Sequence, residues 1–392
     1  MSDEVLTPSI VDGLNAPVDQ AICLPNEAYT SDDFLQRERE QVFDPQWAFA
    51  AVGSRLPRRG DVFPVNVAGR PLVLTRDRDG SINAFHNVCR HRGLKLVEEG
   101  KRGCATLVCP YHAWTYALSG ELKKTPHFGG PDCHDMEGFD RSQYGLMSVR
   151  CDVWNDLVFV NLSGDAPPLA EVMAPMGEHW ANYDFSQLRH AASATFHVDT
   201  NWKLAIENFL ESYHLPWTHP ELNEFSEMSA HFSLLEPGFL GQGSRDYDST
   251  VAGHPDLPLF PDLNEPQSRT AEYPYVGPNL MMGMHPSYFF VFSIQPDGSG
   301  RSVEQFEFYF VGDAAMTEEL SGQRERVIEA WRNINDEDIT MIEGMQRGRH
   351  SPGYQHGRFS PYHETTTHEF QRRLANRMAM HDVPTRAVAG GG

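Results

Sequence analysis

The spacing of hydrophobic and polar positions changes character along the chain. Residues 30–43 (TSDDFLQREREQVF) read as a helix, with Thr30 or Ser31 as its cap and acids in its first turn. From Trp47 to about Leu162 the apolar runs are short. Phe63–Val67, Pro71–Thr75, Thr106–Cys109 and Leu157–Leu162 are β-like and broken by Gly, Pro, Asn and Asp, which predicts a small all-β domain. Gly164–Pro168 (GDAPP) marks the clearest boundary. Beyond it the pattern predicts a helix over Trp202–Tyr213, strands at Tyr288–Ile294 and Gln305–Val311, a long helix over Thr317–Gln346 and a terminal helix over Glu364–Met380. The expected class is α+β. A β domain covers 46–164, a larger domain with an antiparallel sheet flanked by helices covers 165–385, a helical segment 1–45 packs with the larger domain, and 386–392 is a flexible tail.

Composition narrows the function. The chain has 392 residues, 32 Lys plus Arg and 54 Asp plus Glu, a formal charge of −22. That balance argues against nucleic acid or anionic lipid as a partner and permits a cationic substrate. No apolar run is long enough for a transmembrane helix, and residues 1–30 carry no secretory pattern. Six cysteines in a chain of this length do not make a disulfide scaffold. A cytoplasmic, reducing setting is expected, where cysteines serve as ligands more often than as staples.

Two cysteines stand out. Cys89-Arg-His91 and Cys109-Pro-Tyr-His112 each present one thiolate and one imidazole. Two loops carrying four such ligands can hold tetrahedral zinc. They can equally hold a two-iron, two-sulfur cluster with the cysteines on one iron and the histidines on the other. Around them, residues 86–124 hold seven Lys or Arg against three Glu, a basic island in an acidic chain where an acidic electron donor could dock.

A second constellation lies in Asn201–His219 (NWKLAIENFLESYHLPWTH). Glu211 and His214 are three apart and would share a helical face. Pro216 should end that helix near Leu215, and His219 would return from the following loop. Two imidazoles need one carboxylate to complete a 2-His-1-carboxylate triad for non-haem Fe(II). Asn333–Gln346 is the best source. Asp338 shares a face with Ile342 and Met345, and Asp336 and Glu337 are the alternates.

The mixed C-x-H and C-x2-H arms resemble the Rieske iron–sulfur motif, as do the neighbours Arg90, Gly93, Pro110, Tyr111, Trp114 and Gly120, whose glycines would let backbone N–H groups approach the cluster sulfurs. With the second constellation, roughly residues 40–380 resemble the large subunit of the Rieske non-haem iron oxygenases. The resemblance implies a Rieske [2Fe-2S] domain followed by a helix-grip-like catalytic domain. It also implies that His214, His219 and Asp338 hold the mononuclear iron. The family's late E-D-x4-E…Q-G segment matches Glu337, Asp338, Glu343, Gln346 and Gly348. Glu211 falls where the family has an acid, most often Asp, linking a Rieske histidine of one subunit (here His112) to an iron histidine of the next. A homotrimer is implied, as is a separate flavin and iron–sulfur reductase that draws on NADH or NADPH. No GxGxxG fingerprint for binding the nicotinamide directly is present. O2 is the implied co-substrate.

The substrate is a separate question. The NWK opening, Pro278–Met281 (PNLM) and Glu211 resemble the choline, glycine betaine and carnitine monooxygenase branch. That implies hydroxylation of a quaternary or tertiary amine, at an N-methyl or a neighbouring carbon. Aromatic faces bind such cations, and Tyr288, Phe290 and Phe292 alternate onto one strand face. They, with His285, are the candidate pocket residues. The alternatives are a dioxygenase or O-demethylase acting on an aromatic compound, and an iron–sulfur electron carrier.

Overall fold

The structure is a computed structural model that describes residues 5–247 and 256–381. The chain divides into two compact units, residues 44–173 and residues 1–43 with 174–392. The division falls inside the helix Leu169–His179, a few residues beyond the GDAPP boundary read from the sequence. The segment before Asp44 belongs to the larger unit. The expected tail at 386–392 lies outside the described residues.

Residues 44–173 form an antiparallel six-stranded sheet in the order Trp47–Val52, Leu157–Asn161, Ser148–Trp154, Ile82–His86, Arg70–Arg76, Val62–Val67. A three-stranded sheet, Leu107–Val108, Thr115–Tyr116 and Leu122–Lys124, carries the second cysteine arm. A hydrophobic cluster of Phe85, Leu96, Val97, Trp114, Tyr116 and Leu118 surrounds Cys89 and Cys109. Gly120 has φ +89, and a Cβ there would meet the Phe85 ring at 2.5 Å, so this turn demands glycine.

In the larger unit a seven-stranded antiparallel sheet runs from Leu188–Val198 through Ser302–Val311, Tyr288–Pro296, Leu280–Met284, Ala271–Val276 and Leu240–Ser244 to His231–Leu235. The helices Trp202–Phe209, Ser321–Gly348 and Thr365–His381 pack on it. The single helix expected over 30–43 is Glu27–Thr30, then Asp32–Glu38 capped by Ser31, then a π turn Arg39–Phe43. The Ser31 hydroxyl accepts the Phe34 N–H at 3.2 Å.

The NWK motif anchors the first iron-site helix. Asn201 caps it by accepting the Lys203 N–H at 3.1 Å, and its own N–H reaches Gln346 Oε1 at 3.0 Å. Lys203 Nζ meets Glu38 Oε1 at 2.6 Å, both side chains wholly buried, and Trp202 Nε1 donates to the other Glu38 oxygen at 2.9 Å. The three residues of the motif thus fix where this helix begins. Among the described residues no helix is long and apolar enough to cross a membrane. All six cysteines are free thiols.

Candidate metal centres

The two cysteine arms are built alike. Cys89 N–H donates to Leu94 O and Gly93 N–H returns to Cys89 O. Cys109 N–H donates to Trp114 O and Ala113 N–H returns to Cys109 O. Each loop thus closes between a cysteine and the residue five later, with a left-handed residue before the closure: Gly93 at φ +76 and Ala113 at φ +55. Gly93 serves this turn. Cys89 and Cys109 are each 2% exposed, and burial pushes the Cys109 thiol up. His91 Nδ1 and His112 Nδ1 face each other at 3.1 Å, and Trp114 stacks on the His91 ring at 4.8 Å. Two imidazole nitrogens at that separation suit adjacent positions on one iron, and two buried thiols suit the other. The donor set fits a two-iron cluster with mixed ligands.

Sequence reasoning missed Tyr116. Its oxygen accepts the Arg90 N–H at 3.0 Å and lies 3.4 Å from Cys89 Sγ. A cysteine sulfur that ligates iron carries no proton, so toward a cluster-bound Cys89 the phenol would be the donor.

In the larger unit, ligand atoms of His214, His219 and Asp338 lie within 4.8 Å of one another. Asp338 Oδ1 is 2.8 Å from His219 Nε2 and 3.6 Å from His214 Nε2. Ligands about 2.1 Å from a common ion lie about 3 Å apart at right angles, so the set fits one metal. Both imidazoles turn their other nitrogen to a carboxylate. His214 Nδ1 meets Glu211 Oε1 at 2.6 Å, and His219 Nδ1 meets Glu337 Oε2 at 2.6 Å. Such outer partners fix ring orientation and tautomer. Burial lowers the pKa of both rings, but the hydrogen bonds and charges of Glu211 and Asp338 at His214, and of Asp338 and Glu337 at His219, leave both raised. Of the three acids considered from the sequence, Asp338 faces the histidines, Glu337 supports one from behind, and Asp336 is exposed.

One local expectation is corrected. The helix ends at Phe209 rather than at Tyr213, and Glu211 and His214 lie in the turn after it. Pro216 does not terminate a helix. It stands in the first turn of a new short one, Leu215–Thr218, where its missing N–H is no loss. Glu211 Oε2 accepts the backbone N–H groups of Tyr213 and His214, which organises this turn.

A cavity of about 60 Å³ lies over the triad. Phe209, Tyr273, Trp331, Leu215, Leu222 and Ile334 give its apolar wall, and Asn208, Ser226, His231 and Gln242 its polar one. Tyr288, Phe290, Phe292 and His285 are not among these residues. They form the layer behind: Phe290 packs on Trp331 at 4.5 Å, Phe292 lies 6.0 Å from Phe209, and His285 stacks on Tyr288 at 4.1 Å. Tyr288 Oη accepts Trp331 Nε1–H at 2.9 Å, so it orients a cavity residue from one layer back. A signal for Trp331 was available, since it sits seven residues before Asp338 on the same helix, two turns along one face. A larger hollow of about 180 Å³ opens nearby, lined by Glu211, His231, Gln242, Tyr362 and His363 among others.

Comparison with known proteins agrees with this geometry. Residues 185–380 match the family model of the ring hydroxylating alpha subunit (catalytic domain), and residues 46–135 match the Rieske [2Fe-2S] domain. The glycine betaine monooxygenase oxygenase subunit of Pseudomonas aeruginosa is 26% identical over 412 residues, covering 95% of this chain and 94% of that protein. The carnitine monooxygenase oxygenase subunit of Escherichia coli K12 is 26% identical, covering 86% of each. In fold, the chain resembles a quaternary ammonium Rieske monooxygenase with a TM-score of 0.80 at 24% identity, covering 94% of this chain and 98% of that one. It also resembles naphthalene 1,2-dioxygenase from Rhodococcus, with a TM-score of 0.76 at 19% identity, covering 96% of this chain and 100% of that one.

Proposed function

The chain belongs to the ring-hydroxylating alpha subunits of the Rieske non-haem iron oxygenases, and from that premise we propose that it hydroxylates a small quaternary or tertiary amine. One observation carries the substrate reading. The cavity is lined by Phe209, Tyr273 and Trp331 together with a metal triad surrounded by carboxylates. Aromatic rings and negative charge together favour an organic cation. Hydroxylation at an N-methyl carbon would release formaldehyde.

In this reading Cys89, Cys109, His91 and His112 hold the two-iron cluster, and His214, His219 and Asp338 hold the mononuclear iron. When bound, these groups supply one-electron transfer and activation of O2 beside the substrate. The chain's own residues do the rest. Glu211 and Glu337 keep the Nδ1 protons of His214 and His219, so both rings turn Nε2 toward the metal. Asn208 holds the Asp338 carboxylate through Nδ2–H at 2.7 Å. The apolar wall keeps bulk water from the reacting carbon. We further propose a homotrimer in which Glu211 meets His112 of a neighbouring copy, fed by a separate reductase that oxidises NADH or NADPH. The hollow beside Glu211, with Tyr362 80% exposed at its rim, supports that role.

The test is substrate-dependent oxygen uptake with a reductase, with formaldehyde measured in parallel. Uptake supported by methylated amines is expected. Uptake supported by aromatic acids and by no methylated amine would overturn the substrate reading.

A further inference from the structure

In the polar wall of the cavity, most hydrogen-bond donors are already taken by the protein itself. Gln242 shows this first. Its Nε2 lies 3.0 Å from Phe209 O and 2.9 Å from Glu211 O. Both are backbone carbonyls, which only accept, so the amide nitrogen must be the group facing them and both of its N–H bonds are spent. Gln242 Oε1 therefore faces His231 Nδ1, at 2.9 Å, and that nitrogen must carry the ring's proton. His231 Nε2 lies 3.0 Å from the Ser226 hydroxyl, which can donate to it, and 3.3 Å from the Ser226 carbonyl, so both ring nitrogens are engaged within the protein. Burial pushes the His231 pKa down against the opposing Gln242 and Ser226 hydrogen bonds, which disfavours a charged ring. Asn208 spends one N–H on Asp338. What the wall still offers a ligand is lone pairs, the second Asn208 N–H and the Tyr273 hydroxyl, with no cationic donor among the described lining residues.

Charge points the same way. Among the described residues lining the cavity there is no Lys or Arg. Around the triad stand Asp338, Glu211 and Glu337. Their three negative charges exceed the two positive charges of a divalent ion by one. A substrate carboxylate placed here would find neither a cation nor a free row of donors, and would be desolvated without compensation. An ammonium group suffers no such penalty, and a hydroxyl can donate to the remaining lone pairs.

We infer that this cavity selects an amine that carries positive charge and a neutral hydrogen-bond donor, an amino alcohol, against zwitterionic amines that carry a carboxylate. The inference rests on the amine reading above and narrows it. Isothermal titration of the iron-loaded oxygenase with choline, glycine betaine and the neutral carbon analogue of choline tests it. Choline should bind at least about tenfold more tightly than either of the others. Glycine betaine binding as tightly as choline would overturn the selection against carboxylates while leaving the amine reading intact, provided that oxygen uptake still yields formaldehyde. The neutral analogue binding as tightly as choline would overturn the role of charge. Failure of all three to bind, with no amine-dependent oxygen uptake, would remove the amine reading and this inference with it. A guanidinium placed in the wall by Ile334→Arg should bring glycine betaine to parity or better. An unchanged ranking in that variant, with its circular dichroism intact, would also overturn the charge argument. Should the variant not fold, the wild-type ranking decides alone.

Discussion

Glu211 Oε1 and His214 Nδ1 stand 2.6 Å apart, and the other oxygen of the same carboxylate accepts the N–H groups of residues 213 and 214. One side chain thus shapes the turn and aims an iron ligand. Replacing Glu211 with Gln keeps the shape and removes the charge. At saturating iron both metal sites of E211Q should load, although His214 loses its partner as His219 does in E337Q, and steady-state turnover should fall by about 10–100-fold. Rapid-mixing measurement of cluster reoxidation in a single turnover should show the same loss. Wild-type reoxidation in E211Q would exclude Glu211 from the electron path.

The three acids of the long helix should separate cleanly. Asp338→Ala should empty the mononuclear site and leave the visible spectrum of the cluster unchanged. Glu337→Gln should weaken iron binding by about 10–100-fold through His219. Asp336→Ala, altering an exposed side chain, should do nothing measurable. Iron analysis of the three purified variants checks this order, and iron retained in D338A would displace Asp338 as a ligand.

How much of this was legible in the sequence follows from the range of each interaction. The cluster arms and the His214–His219 pair were readable because ligand chemistry restricts residue type and the spacing within each is local, whereas Asp338, 119 positions from His219, was legible only through its helical face and the family resemblance. The helix end at Phe209 was not. Apolar periodicity continues past it, and the chain departs because Gln242, from a distant strand, takes the carbonyls of Phe209 and Glu211. That the candidate residues Tyr288, Phe290, Phe292 and His285 stand one layer behind the cavity over the triad was hidden for a related reason. Alternation shows that Tyr288, Phe290 and Phe292 share a face, but not that Trp331 and Tyr273 stand between that face and the metal. Tyr116 gave no signal, since its hydrogen bond to Cys89 spans 27 positions.

That Tyr116 contact sets a redox expectation. A hydrogen bond to a ligand sulfur stabilises the more negative, reduced cluster. Tyr116→Phe removes it and leaves the packing in place. At about 1–2 kcal/mol for the bond, the one-electron potential should drop by roughly 40–90 mV. Spectroelectrochemical titration of the cluster measures the shift, and an unchanged potential would show that the phenol does not donate to Cys89.

The buried Lys203–Glu38 pair should behave as a structural lock. Both side chains are 0% exposed. Burial lowers the lysine pKa and raises that of the glutamate, while their mutual attraction opposes both shifts. Lys203→Met strands a buried carboxylate and should destabilise the fold by about 3–5 kcal/mol. The double variant K203M/E38Q should recover part of that loss. Denaturant titration compares the three proteins, and a single variant as stable as the wild type would mean that the pair contributes nothing.

Glu304 should make stability depend on pH. It is 1% exposed and accepts Asn335 Nδ2–H at 2.9 Å. Burial pushes its pKa up to about 8, with the charges of Asp338 and Glu343 adding to the rise and the Asn335 bond opposing it. The ordinary value is 4.5. Between 4.5 and about 8 the unfolded chain has released this proton and the folded one still holds it. The folded state therefore loses relative stability as pH rises through that window and levels off above it. Glu304→Gln keeps an acceptor for Asn335 and cannot ionise. In iron-chelated protein it should match the wild type below pH 4.5 and exceed it above pH 8, by on the order of a few kcal/mol. Denaturant midpoints taken across that range decide the matter, and parallel curves for the two proteins would place the Glu304 pKa near its ordinary value.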